Sequence, residues 1–321
     1  MEYYFSSKDE DVFFKKYDFF FKQLDYPISR FRSKIFTKYH SENANHKGDV
    51  FEDISFIVEK EKEIVFLFSS FLKNNCINPE QVSLVIIKEN LLSSKDIQSL
   101  LFYLINYLKK KNIKKIVLRN ISNTNLLGIF FQKLIKKYNF EVRNYLFSYI
   151  DLNENLEKIK KNIRKGHKHI INKTKKENLI IIDKNNFSFN DIYKAREIHF
   201  NQSKKRTRSK KSWEHLGELI LNDNAFLIFE KENDVFNTYG LFTHLGKNMF
   251  YASSASIKEN VNMHSIIYTA VEHAKKKNIA KYFELGSFQA NELKLKNISL
   301  FKAGFTNKLC LYNDYIIRID D

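Results

Sequence analysis

Two stretches far apart in the chain, QKLIKKYNFEV (132–142) and ISLFKAGFTNK (298–308), align by eye, and each reads as a helix running through an aromatic turn into a strand. What precedes them repeats as well. In the first half, Asp53–Leu72 reads as two β-rich runs around the charged turn Glu59–Glu63, a hairpin signature without glycine. An apolar-periodic helix at about 94–111 follows, then the strand KKIVLRN (114–120), a helix over 125–138 and a strand over 140–150. In the second half, residues 225–256 give three strands, followed by a helix at about 262–278. The strand AKYFELGS (280–287), the helix ISLFKAGF (298–305) and the strand TNKLCLY (306–312) complete it. One order of elements built twice predicts a duplicated α/β (α+β) fold with a mixed sheet, split into domains 1–150 and 151–321.

Composition narrows the function classes. With 30 Phe and 17 Tyr in 321 residues the chain has the apolar surface to order itself, and 8 Gly and 2 Pro exclude collagen- or linker-like structure. Cys76 and Cys310 have neither a disulfide framework's nor a zinc knuckle's spacing, which points to a reducing compartment. No apolar run reaches the roughly 18 to 20 residues of a membrane helix, and the N-terminus lacks a signal peptide's order of parts. The expectation is a cytoplasmic protein, with peripheral contact at the inner membrane face left open. The formal charge of +17 is carried by 54 Lys plus Arg, only 9 of them Arg. A Lys-, Asn-, Ile- and Phe-rich chain is what AT-rich coding supplies, so an isolated Lys reads as a solvated face and only Arg-containing clusters as binding sites.

Three clusters carry the candidate chemistry. Residues 151–177 hold nine basic residues against four acids, with Leu156, Ile159, Ile163, Ile170 and Ile171 on one helical face interrupted near Gly166. This is a surface helix, or a path for a polyanion or a membrane surface. Residues 204–211 pack six basic residues into eight positions, including Arg206 and Arg208, before Ser212, a plausible N-cap, the lone Trp213 and Glu214. Two guanidinium groups at a helix N-terminus suit phosphate or carboxylate. In the third, Glu284 and Gly286 end an apolar strand, and Phe301 and Lys302 follow. Glu284 reads either as a base that takes a proton from an attacking amine or as one side of a salt bridge. Ser253 and Ser254 offer hydrogen bonds, and His264 near a helix start reads as acid, base or structural group. His167 and His169, two residues apart, point away from each other on a helix, and no metal site is expected.

The order ELGS, linker, ISLFKAGF resembles the C-terminal signature of FemAB-type peptidyltransferases and of the FemAB-like branch of the GNAT acyltransferase superfamily. LEKIKKNIRKGHKHIINKTKKENLIII (156–182), RTRSKKSWEHLGELI (206–220) and FYASSAS (250–256) resemble further segments of that family, so the likeness covers about 156–312. The resemblance implies two tandem GNAT-like domains facing a shared cleft, and it places the family's Phe–Lys pair on Phe301 and Lys302, with the Lys contacting phosphate or stabilising an anionic carbonyl oxygen. Two departures stand out. The segment SIKENVNMHSIIY (256–268) lacks the Gly-rich turn that cradles the pyrophosphate of acyl-CoA, and no long helical hairpin of the tRNA-dependent members is visible.

The expected function is therefore N-acyl or aminoacyl transfer to an amine of a nucleotide- or lipid-linked sugar or peptide in cell-envelope or surface-polysaccharide synthesis. Acyl-CoA or aminoacyl-tRNA is the candidate donor, and no cofactor is expected to be tightly bound. Arg206 and Arg208 would hold acceptor phosphates, Trp213 would wall the site, and Glu284 and Lys302 would act on the reacting groups. The alternative is a non-catalytic nucleic-acid-binding module, which would need exposed aromatic residues for stacking.

Overall fold

The computed structural model describes residues 1–25, 27, 33–73, 76–77, 83–120, 128–174, 178–257, 263–287, 293–306 and 308–319. The first half runs β1 (Glu2–Phe5), α1 (Glu10–Gln23), α2 (Lys34–His46), β2 (Phe51–Asp53), β3 (Phe56–Lys60), β4 (Glu63–Ser69), β5 (Phe71–Lys73), β6 (Cys76–Ile77) and β7 (Ser83–Ile87). It continues through α3 (Ser94–Lys110), β8 (Lys115–Asn120), α4 (Ile129–Lys137) and β9 (Phe140–Asp151). Then come α5 (Leu156–Asn162), α6 (Lys165–Lys173), β10 (Leu179–Ile182), α7 (Phe189–Ser203), α8 (Lys210–Leu221), β11 (Ala225–Glu232), β12 (Val235–Leu245) and β13 (Asn248–Ser256). The chain closes with α9 (Met263–Lys277), β14 (Tyr282–Ser287), α10 (Leu293–Ala303) and β15 (Leu309–Arg318).

These elements form two compact units. The first comprises Met1–Phe20, Ala44–Tyr145 and Leu311–Asp321, the second Phe21–Asn43 and Leu146–Cys310.

In the first unit, β1, β3, β4 and β7 pair antiparallel in that order, β7 pairs β8 in parallel, and β15 returns antiparallel along β8. The β3–β4 hairpin turns on Glu61 and Lys62, both at positive φ (53° and 65°), the backbone an I′-type turn needs even without glycine. α3 forms because Ile97, Leu100, Leu101, Leu104, Ile105 and Leu108 recur on one face, and each buried side chain contributes about 1.5–3 kcal/mol. Its start is closed by a capping box in which Ser93 Oγ accepts from the Asp96 amide while the Asp96 carboxylate accepts from the Ser93 amide. The start of α4 is closed from a distance. The Glu89 carboxylate accepts the amides of Ile129 and Phe130, each at 2.9 Å, and sits where a Cβ on Gly128 would be. The remaining buried charge of this unit is a cross-strand pair. Arg119 on β8 donates from Nε and Nη2 to the two carboxylate oxygens of Asp314 on β15, both at 2.7 Å, with Arg119 3% exposed.

In the second unit the order is β9, β14, β13, β12, β11, β10, with only the β13–β14 pair parallel. Both faces of this sheet are covered, which is why AFLIF on β11 reads as a continuous apolar run. Phe226, Ile228 and Phe242 point to a core under α9 and α5. Leu227, Phe229, Tyr239 and Leu241 point to a second core under α7, α8 and Tyr39 of α2.

Local details differ from the sequence expectation. The basic segment 156–173 is two helices broken at Ile163 and Arg164 rather than one interrupted at Gly166, and its Leu156, Ile159, Ile163 and Ile171 pack into the α9 core. Ser209, not Ser212, caps α8. Its Oγ accepts the Ser212 amide at 3.0 Å, which puts Ser212 in the first turn. α10 starts at Leu293, five residues before the expected start. No helix among the described residues is long and apolar enough to cross a membrane.

Candidate functional site

The site arises from a defect in the parallel pair of the second unit. β13 and β14 pair only over Asn248–Phe250 against Tyr282–Glu284. Immediately beyond, both strands bulge. On β13, Tyr251 pairs with Phe242 and Ser253 with Leu241, so Ala252 is the inserted residue. On β14, Glu284 pairs with Tyr149 and Gly286 with Ser148, so Leu285 is inserted. A bulge bends its strand and increases the local twist, and two bulges at one level part the strands. Residues 251–256 then line a cavity of about 370 Å³, closed by Gln202 from α7, Met263 from α9, and Ile298, Phe301 and Lys302 from α10.

Lys302 lies in the last turn of α10, and its ammonium occupies a notch that exists because position 286 is glycine. A Cβ there would lie 2.5 Å from Lys302 Nζ, and Gly286 has φ +105°, which L side chains rarely adopt. Nζ also lies 5.7 Å from the centre of the Tyr251 ring. Burial pulls the Lys302 pKa below the usual lysine value, and the negative charge of Glu284, itself 7% exposed, opposes that shift. Glu284 is not part of the cavity wall, so it reaches the site through its effect on Lys302.

The other side of β13 carries a second cation. Arg208, in the loop before α8, donates from Nη1 to Ser253 Oγ at 3.1 Å, and its guanidinium lies 5.1 Å from the Trp213 ring and 6.0 Å from the Tyr39 ring. Ser253 Oγ also bonds the Tyr239 hydroxyl at 2.9 Å, whose pKa burial pushes up to about 12. Arg208 has no carboxylate partner among the described residues. On the opposite side, the Tyr251 hydroxyl donates to Ser254 Oγ.

The structure thus brings Ser253, Ser254, Phe301 and Lys302 to one cavity, with Arg208 bonded to its wall. It does not bring the rest. Arg206 is exposed, with its guanidinium 5.4 Å from the Phe200 ring. Trp213 is 2% exposed and walls Arg208 rather than the cavity. Glu214 accepts from the Tyr193 hydroxyl at 2.7 Å. His264, in the first turn of α9, packs edge-on against His167 and Phe301. Residues 258–262, part of the glycine-free segment 256–268, lie outside the described residues.

One supporting residue was missed. His167 Nδ1 lies 3.2 Å from Arg164 Nη2, and Nε2 lies 2.9 Å from the Phe301 carbonyl oxygen. Guanidinium can only donate, so Nδ1 accepts and Nε2 carries the proton that is donated to the carbonyl. Burial lowers the His167 pKa, in keeping with this neutral form. The ring fills the space a Cβ on Gly304 would take, and the Arg164 amide donates to the Gly304 carbonyl at 2.8 Å. Together these contacts pin the turn of α10 that presents Lys302. The available signal was Gly304, two residues after the lysine. Among the described residues no group of His, Cys, Asp or Glu is arranged to hold a metal ion.

No protein-family model matches the chain, and no curated protein matches it. Solved structures do. A structure of FemX superposes with a TM-score of 0.68 at 11% identity, covering 98% of this chain and 97% of that one. The C-terminal domain of a putative lysylphosphatidylglycerol synthetase from Agrobacterium fabrum gives 0.56 at 10% identity over 85% and 86% of the two chains. A tandem GNAT protein from the clavulanic acid biosynthesis pathway gives 0.50 at 6% identity over 84% and 83%. The fold is therefore the tandem GNAT fold in its FemAB-like form, as the sequence resemblance implies.

Proposed function

We propose that the chain is an acyl- or aminoacyltransferase that acylates an amine of a nucleotide- or lipid-linked sugar or peptide in cell-envelope synthesis. The observation that carries the reading is the parted β13–β14 pair with Lys302 held in the Gly286 notch beside it. The edge of β13 past Phe250 has peptide groups no longer used by β14, and these suit the carbonyl and amide groups of an acyl donor. One solved protein with this fold is a putative lysylphosphatidylglycerol synthetase, a name in keeping with transfer to a lipid-linked acceptor.

In this reading the acceptor amine attacks the donor carbonyl, a C–N bond forms, and the C–O or C–S bond to the donor breaks. The proton shed by nitrogen leaves with the departing oxygen or sulfur. Negative charge grows on the carbonyl oxygen in between, and Lys302 is the fixed donor that meets it. Glu284 keeps Lys302 charged despite its burial. Arg208, clasped by two rings and lacking a carboxylate partner, binds acceptor phosphate across Ser253. Acyl-CoA and aminoacyl-tRNA are the two donors to compare. The non-catalytic nucleic-acid reading is not favoured, because so many of the Phe and Tyr rings fill the cores.

The test is transfer of labelled acyl groups from each donor class to amino-sugar and peptide acceptors. Lys302→Met is expected to cut turnover about 10²–10³-fold with an unchanged unfolding midpoint. Full turnover in that variant, or turnover and stability lost together, would overturn the role given to Lys302.

A further inference from the structure

A cavity of about 830 Å³ in the first unit lies between α3 and α4. Its lining includes Lys95, Lys110, Lys133, Lys136 and Lys137 and no acidic residue. At the centre of the outer face of α3, seven residues after Lys95 and eight before Lys110, stands Phe102, 62% exposed. The lysines are the second observation. Four other lysines of the same unit pair with carboxylates: Lys16 with Glu59, Lys60 with Asp96, Lys88 with Glu63 and Lys111 with Glu52. The five around the cavity have no carboxylate partner among the described residues, so their charge is left for something outside the chain.

We infer that this face docks on an anionic phospholipid bilayer, with Phe102 entering the headgroup region and the five lysines meeting lipid phosphates. An exposed aromatic ringed by lysines combines the two contributions that hold a peripheral protein at such a surface, apolar insertion and attraction to anionic lipid. The lysine stems reach along the apolar cavity wall while their ammonium groups stay at headgroup level. Two details favour a bilayer over a single-stranded nucleic acid. No Arg takes part. The cavity tyrosines are also packed on one another, Tyr3 to Tyr103 at 4.1 Å and Tyr103 to Tyr107 at 6.4 Å and nearly parallel, so ring faces that could stack on bases are already used. The basic helices 156–173 do not compete for this role, because Ile159 and Ile163 are buried in the second unit's core and Leu156 and Ile171 pack against it.

The experiment is co-sedimentation of the full chain with vesicles of phosphatidylcholine alone and of phosphatidylcholine with about a quarter phosphatidylglycerol, at low and moderate salt. Binding is expected on the anionic vesicles only, weakening as salt rises. Reversing Lys133, Lys136 and Lys137 together to Glu should lower the partition coefficient more than about tenfold, and Phe102→Ser about threefold to tenfold. Lys160→Glu with Lys161→Glu on α5 should leave it unchanged, and all variants should keep the parental unfolding midpoint. Equal binding to both vesicle types would overturn the inference, as would a triple variant that sediments like the parent. So would single-stranded RNA that displaces the protein from vesicles and itself loses affinity in the triple variant, which would make the face a nucleic-acid interface.

Discussion

The two units meet the same problem, a charge buried at one level of the strand between their two parallel-sheet helices, and solve it differently. β8 (KIVLRN) and β14 (YFELGS) are each 6 residues long, and the fifth position is Arg119 in one and Gly286 in the other. In the first unit the side chain at that position turns inward and is consumed by Asp314 in two hydrogen bonds. In the second unit the position has no side chain, a lysine from the following helix enters instead, and the charge of Glu284 opposes the effect of burial on that lysine. One unit spends its buried charge on its own architecture. The other leaves a charge beside a cavity where a substrate can meet it, which is why chemistry is assigned to the second unit and docking to the first.

The sharpest way to break this contrast is at the sealed pair. Arg119→Met leaves Asp314 buried without its partner and should cost about 3–5 kcal/mol in denaturant unfolding, whereas Arg119→Met with Asp314→Leu should recover most of that loss. If the single variant were as stable as the parent, the pair would not be a structural seal. The second largest effect is expected in turnover at Lys302, about 2.7–4 kcal/mol of transition-state stabilisation for Lys302→Met with little change in stability. Gly286→Ala comes next. It forces an L side chain into φ +105° and against Lys302 Nζ, so about 1–3 kcal/mol of stability should be lost together with at least tenfold of turnover. A more active Gly286→Ala variant would show that the notch does not position the lysine.

The smallest effect is a pH dependence. Lys302 has a lowered pKa in the folded chain and the ordinary value of 10.5 when unfolded. Between those two values the unfolded state binds more protons, so stability gains from this group as pH rises through that window. The unfolding free energy of the parent minus that of Lys302→Met, measured by urea unfolding, should therefore rise as pH approaches 10.5. A constant difference across that range would mean that the lysine is not desolvated.

Much of this comparison was legible in the residues. The glycine-free hairpin at Glu61–Lys62, α3, the three strands of 225–256 and α9 follow from local periodicity and turn chemistry, which is why they fall close to their expected places. The Phe301–Lys302 pair and Ser253–Ser254 do share one cavity. What could not be read depends on register between distant segments. Ala252 and Leu285 are bulged residues only by virtue of their partners on β12 and β9, and nothing in their own neighbourhood marks them. Ser209 and Ser212 are both competent caps three residues apart, and Ser209 wins the position while also reaching Glu42 of α2 at 3.1 Å. The 206–214 cluster likewise separates once folded, since Arg208 turns to the sheet while Glu214 turns to Tyr193. The passage of 21–43 into the second unit and of 311–321 into the first leaves no mark in composition.

That last exchange has a consequence for how the molecule is made. β8 is flanked by β7 on one side and by β15 on the other, and β15 follows every strand of the second unit in the sequence. Until β15 has been made, the N-terminal unit has β8 with one edge bare and Arg119 without Asp314. Domains usually fold in the order they leave the ribosome. Here the unit whose strands emerge first is completed only once the strands of the second unit have been made, and until then its open strand edge is a surface for chaperones to cover.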